Sequence, residues 1–179
     1  VSDYPQVRLD VILGSVMAVV VAFFIMIACA ATLHREGIHD IVSGADMEAE
    51  DAIVATLRAA FPGHAILGEE SGHIEGARDG GGYRWIVDPL DGTVNFVHGF
   101  PYYAVSVALA HGTEITHAVV LDPVHDELFT AIQGKGAFCN GAPIHVSTCL
   151  NLSDALVGTV FPTRESPRLP DYLPTFNAL

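Results

Sequence analysis

Two carboxylates three positions apart, Asp88 and Asp91, follow directly on an apolar run in the segment W-I-V-D-P-L-D-G-T-V-N-F that begins at Trp85. Acids this close repel each other unless a cation lies between them. The segment holds no Lys or Arg, and oxygen ligands at this density favour Mg2+ or Mn2+ over zinc, which recruits His or Cys. Pro89 fixes the turn between the two acids, and the carbonyl of Leu90 is a further oxygen. Gly92 and Thr93 come next, with unencumbered backbone N–H groups of the kind that hold a phosphate at a helix start. Carboxylates for a metal beside N–H groups for a phosphate describe metal-assisted phosphoryl transfer to water.

Two more acids, Asp46 and Glu69, fall where elements begin or end. Each acid also has a plainer reading. Asp46 reads equally as a helix-capping residue, Glu69-Glu70 as solvated loop acids, and D-P-x-D-G as a simple turn.

The elements that must carry these residues follow from periodicity. Ser43-Gly44-Ala45-Asp46 has the S-x-x-D form of a capping box, which predicts a helix opening there and running to about Ala60. Ile53, Leu57 and Phe61 supply its apolar face, and Pro62-Gly63 stops it. Residues 64–67 read as a short strand entering Gly68-Glu69-Glu70, and the glycine-rich, charged stretch 72–83 as a surface loop. Residues 84–87 form the strand that ends at Asp88. Further strands are expected over 103–110, 116–121 and 127–132, with a hairpin turn over 122–126. Asn140-Gly141 is a two-residue hairpin signal, and 155–160 reads as another strand. The proline-rich 162–174 leads to no recognisable closing element. Helices first and then mostly antiparallel strands suggest a layered α+β sandwich whose last part is absent.

Charge narrows the function. Among 179 residues, 8 are basic and 21 acidic, a net charge of −13. Direct nucleic-acid binding is not expected from so acidic a chain, whereas divalent cations suit it. Half the residues are hydrophobic and mean hydropathy is +0.39, but the excess is concentrated in residues 11–33, which hold no charge. That run exceeds the about 20 residues that span a bilayer, so it reads as a buried helix or a membrane anchor. Asp3, Arg8 and Asp10 nearly cancel, so it lacks the basic start of a signal peptide. Cys29, Cys139 and Cys149 form no C-x-x-C pair and read as reduced thiols in a cytoplasmic protein.

The motifs together resemble one family. W-I-V-D-P-L-D-G-T-V-N-F-V-H-G-F-P is similar to the W-x-x-D-P-x-D-G-T-x-N-F-x-H-x-x-P signature of the inositol monophosphatase family. I-L-G-E-E-S resembles its G-E-E segment, and D-I-V-S-G-A-D its D-x-V-T-x-x-D, with Ser43 for the usual threonine. E-L-F-T-A-I-Q-G-K-G-A-F-C-N-G-A-P-I-H-V-S also resembles bacterial members. The resemblance covers roughly residues 40–160. It implies an αβαβα sandwich and in-line hydrolysis of a small phosphomonoester such as myo-inositol monophosphate, with Mg2+ and with sensitivity to lithium. By the same resemblance Glu69, Asp88, Asp91 and the carbonyl of Leu90 would bind Mg2+, with Mn2+ as a substitute. Asp46 and Thr93 would orient and deprotonate the attacking water. The stretch Leu90, Asp91, Gly92 and Thr93 would contact substrate, the Gly92 and Thr93 backbone holding the phosphate. His98, inside the signature, reads as a structural histidine.

The chain departs from the family in two places. Residues 11–33 replace a first helix that is normally amphipathic. The C-terminal W-D-x-A-A-G segment, whose aspartate completes a second metal site, does not occur before Leu179. The expected organisation is therefore an apolar N-terminal helix over 1–34, a metal-phosphatase domain over 35–160 and the start of a C-terminal region over 161–179. The first Mg2+ site would form while the second is weakened, and uncovered apolar sheet surface would invite a homodimer. Two alternatives stand beside hydrolysis of inositol phosphate. One is a phosphatase for another sugar, histidinol or nucleotide phosphate; the other is a catalytically impaired binding or regulatory module.

Overall fold

The computed structural model describes residues 38–77, 80–159 and 166–178. These divide between His145 and Val146 into two compact units. The expectations for residues 11–33, including membrane contact, lie outside the described residues. Among the described residues no helix is long and apolar enough to cross a membrane.

The first unit begins with helix α1, Ile38–Ala60. Ser43 and Asp46 therefore lie inside the helix and do not cap it, which corrects the capping-box reading. The sequence continues the helix upstream of Ser43 because Ile38, Ile41 and Val42 keep the apolar spacing. Gly44 weakens a helix by only about 1 kcal/mol, too little to end it.

An eight-stranded sheet follows, in the order β2-β1-β3-β4-β5-β6-β7-β8. The strands are β1 Ala65–Gly68, β2 Gly72–Ile74, β3 Tyr83–Asp91, β4 Ala104–His111, β5 Glu114–Asp122, β6 Glu127–Ile132, β7 Gly136–Cys139 and β8 Ala142–Ile144. A short helix α2, Thr93–Val97, separates β3 from β4. Among the described residues only β1 and β3 pair in parallel; every other neighbouring pair is antiparallel. The strands expected over 103–110, 116–121 and 127–132 appear with their ends shifted by a residue or two. The Asn140-Gly141 hairpin forms with φ of 48° and 78°, the positive pair that such a turn demands.

Alternation decides which face of the sheet is covered. Ala49, Ile53 and Leu57, one helical turn apart, form one buried cluster with Ile66 of β1, Trp85 and Val87 of β3, Val105, Val107 and Leu109 of β4, and Val119 and Leu121 of β5. Each is at most 5 % exposed. A buried aliphatic side chain of this size contributes about 1.5–3 kcal/mol, so this interface holds α1 against the sheet.

Three further expectations need correction. Residues 72–83 do not form a loop throughout: Gly72, at φ 68°, turns the chain back so that Gly72–Ile74 pairs with β1 as an edge strand. Of the strand expected over 155–160, the described residues 155–159 are exposed and carry no strand. The proline-rich end holds helix α3, Leu169–Ala178. Pro170 sits in its first turn, where its missing N–H has no intrahelical acceptor, and Pro174 is tolerated one turn later. In the second unit α3 follows a short 3-10 turn, Leu152–Asp154, and Tyr172 Oη lies 3.1 Å from Thr159 Oγ1.

Candidate functional site

The carboxylates meet where β1 finishes beside β3. In their parallel pairing Gly68 lies opposite Val87, and the Glu69 N–H donates to the Val87 carbonyl at 3.1 Å. The next residue along each strand is therefore an acid, Glu69 beside Asp88.

The pairing of β3 with β4 settles how Asp91 joins them. Residues three apart on a regular strand point to opposite faces. Here Asp88 pairs with Ser106 and Asp91 with Ala104, so three steps on β3 match two on β4. This bulge, carried by Pro89 and Leu90, puts both acids on the same side of the sheet, away from the α1 core. Pro89 donates no ladder hydrogen bond, and the Leu90 N–H turns instead to Asp88 Oδ1 at 3.1 Å.

Asp46 reaches the same end of the sheet from α1. Its residue is only 5 % exposed, and its Oδ1 is buried without a hydrogen-bond partner. Burial first, then the charges of Glu70 and Asp88, raise its pKa from 3.8 to about 6. Glu69, although more exposed, is pushed from 4.5 to about 7, chiefly by a hydrogen bond to the Asp88 side chain and then by burial and the charges of Asp88, Glu70 and Asp46. Two carboxyls that share a hydrogen bond hold a proton between them because both cannot be charged at close range. The charges acting on Asp46 and Glu69 are all those of other acids.

Thr93 and Gly92 complete the turn. Gly92 has φ 94°, and a Cβ there would sit 2.9 Å from the Tyr102 carbonyl, so only glycine fits. Thr93 opens α2, and its hydroxyl donates to the Leu90 carbonyl at 3.0 Å. The first-turn N–H groups of a helix lack intrahelical acceptors, so this turn points donors outward. Asn95 braces it by donating from Nδ2 to the Tyr102 carbonyl at 2.7 Å. His98 ends α2 with Nδ1 2.8 Å from the Val94 carbonyl, a local contact that accords with a structural role.

Asp46, Glu69 and Asp88 are thus brought into one electrostatic cluster. Asp91 shares the face of Asp88 but is exposed, and its charge is not among those acting on Asp46 or Glu69. Among the described residues no three acid, His or Cys side chains are already drawn together as a metal cage. Glu50 was not foreseen: it is a buried carboxylate of α1 that accepts from the hairpin carrying Glu69, and its place four residues after Asp46 on an amphipathic helix was the available signal.

Known proteins resemble the chain that carries this arrangement. A family model described as the inositol monophosphatase family matches residues 14–179. The Nus factor SuhB of Pseudomonas aeruginosa is 48% identical over 150 residues, 83% of this chain and 55% of that protein. The inositol-1-monophosphatase of Rhizobium meliloti is 50% identical over 127 residues, 71% of this chain and 47% of that one. The crystal structure of extragenic suppressor protein suhB from Bartonella henselae superposes with a TM-score of 0.69 at 43% identity, covering 74% of this chain and 50% of that chain. The chain spans about half the length of these relatives, and its mixed sheet with α1 on one face is one part of their layered sandwich. By the family match over most of its length and by these relatives, the chain belongs to the inositol monophosphatase family.

Proposed function

We propose that this end of the sheet hydrolyses a small phosphomonoester, with myo-inositol monophosphate the first substrate to test. The observation that carries the reading is the parallel pairing of β1 with β3, which sets Glu69 beside Asp88, and the raised proton affinity of Glu69 and Asp46 among other carboxylates accords with it. Acids gathered this way, with a buried unpartnered oxygen on Asp46, fit a hard divalent cation. Glu69, Asp88, Asp91 and the Leu90 carbonyl would hold Mg2+ or Mn2+; the Thr93 hydroxyl occupies one lone pair of that carbonyl and leaves the other. Bound there, the ion would offset the phosphate's charge and favour the ionised state of the water that attacks it.

The chain's own groups supply the proton handling. Because Thr93 commits its hydroxyl hydrogen to Leu90, its oxygen acts towards a water only as an acceptor. That fixes one O–H of the water and leaves a lone pair for the phosphorus. Asp46 Oδ1 is an acceptor for the second O–H, and a carboxylate with pKa about 6 takes up a proton readily near neutrality. The backbone N–H groups at Gly92 and Thr93 hold the phosphate oxygens in line.

The test is phosphate release from inositol 1-phosphate with Mg2+, compared with Asp88→Asn. Turnover by the wild-type chain that vanishes in the variant and in EDTA supports the reading; no turnover above the variant refutes it for this chain. A second reading, a Nus-factor role, is favoured by 48% identity to a protein of that name. The net charge of −13 then favours a protein partner over direct nucleic-acid contact. Such a role survives Asp88→Asn, whereas hydrolysis does not.

A further inference from the structure

We propose that Glu50 is the positioning residue of the site: it grips the β1–β2 hairpin tip by two backbone N–H groups and thereby fixes where Glu69 presents its carboxylate. This rests on the metal-site reading above and assigns Glu50 a part that is neither ligand nor base. Its residue is 2 % exposed, and both carboxylate oxygens are taken. Oε2 accepts from the Glu70 N–H at 3.0 Å and Oε1 from the Ser71 N–H at 2.8 Å. With both oxygens capped inside the protein, Glu50 faces the hairpin.

The geometry around Glu69 shows what the grip achieves. On one side the Glu69 N–H is tied to Val87 of the sheet; on the other, the next two N–H groups are tied to α1 through Glu50. A residue anchored on both sides has its Cα–Cβ direction set, so its carboxyl reaches Asp88 without a search. The same helix delivers Asp46 one turn earlier, so Asp46 and the Glu69 hairpin are held to one rigid element. Gly68 belongs to the device: a Cβ there would sit 2.5 Å from the Glu50 carboxyl carbon. A stable hairpin alone would not call for this, since burying a carboxylate opposes folding. Groups that aim metal ligands in this way typically change metal affinity 10- to 100-fold when altered.

The experiment follows Mn2+ binding by electron paramagnetic resonance, with amide hydrogen exchange on the same samples. Glu50→Gln keeps the size but turns an NH2 group toward one of the two N–H donors, and Glu50→Asp cannot reach them. Both should weaken Mn2+ binding roughly 10- to 100-fold. Exchange protection should be lost at Glu70 and Ser71 and kept at Val87 and Val107. Lost protection at the hairpin with unchanged Mn2+ affinity overturns the positioning role, as does retained protection in both variants. If a Glu50 variant loses protection throughout the sheet, Gly68→Ala decides: its added methyl displaces the same carboxylate and must weaken Mn2+ binding, or the proposal fails. Wild-type protein that binds no Mn2+ overturns the metal-site reading and this role with it. Wild-type binding that the variants match overturns this role alone.

Discussion

Asp46→Asn should make the metal-free protein more stable at pH 8, although it removes a group on which the proposed reaction depends. Asp46 is 5 % exposed and titrates at about 6 in place of 3.8. Its carboxyl binds a proton more tightly in the folded chain than in the unfolded one. Between about pH 4 and pH 6 the folded state therefore holds more protons, and stability falls as pH rises through that window. The difference corresponds to ~3 kcal/mol, fully expressed at pH 8 and absent below pH 4. Asparagine is neutral throughout and escapes it. In a domain of this size ~3 kcal/mol moves Tm by roughly 6–12 °C. The assay is thermal unfolding in EDTA, wild type against Asp46→Asn, from pH 4 to pH 8. The curves should meet at the acid end and separate by up to that amount at pH 8, the variant above. A variant as stable as wild type at pH 8, or less stable, would refute the claim that Asp46 is buried among like charges.

Other perturbations test other parts. Glu69 must give up its proton to take a cation, so at pH 6.5 Mg2+ binding should release protons into weakly buffered solution. At pH 9, above its pKa of about 7, that release should disappear. Added Mg2+ should raise the Tm of wild type at pH 8, by the equivalent of about 2.7 kcal/mol at 100 times Kd, and the rise should shrink in Asp88→Asn. Ile53→Ala, at a position 0 % exposed beneath the sheet, should lower stability by about 2–5 kcal/mol in urea unfolding, with no change in m-value. Gly92→Ala forces a side chain into φ 94° and against the Tyr102 carbonyl; it should lose about 1–3 kcal/mol in the same assay and lower phosphate release.

What the sequence disclosed, and what it hid, follows from how local each signal was. The strand β4 alternates cleanly because its Val105, Val107 and Leu109 enter the core while the residues between them do not, and Asn140-Gly141 announces its turn by residue type alone. Asp88, Asp91, Gly92 and Thr93 were legible as a group because they are contiguous. Their arrangement was not: that Asp88 and Asp91 share a face depends on a bulge against β4, fixed by pairing with Ser106 and Ala104 far along the chain. The start of α1 was misread because S-x-x-D has the same form inside a helix as at its end, and only packing distinguishes them. β2 escaped notice because Gly72–Ile74 is glycine-led and too short to show a period; its partner β1 makes it a strand. Glu50 was hidden for the same reason, since its two partners lie 20 and 21 residues away.

Whether the end of β1 and the adjoining stretch of β3 hold a divalent cation is tested by anomalous scattering from crystals soaked in Mn2+. A peak is expected within bonding distance of Glu69, Asp88 and the Leu90 carbonyl, absent from crystals of Asp88→Asn. A saturating soak that leaves those groups bare, or a peak that persists in the variant, would contradict the metal-site reading.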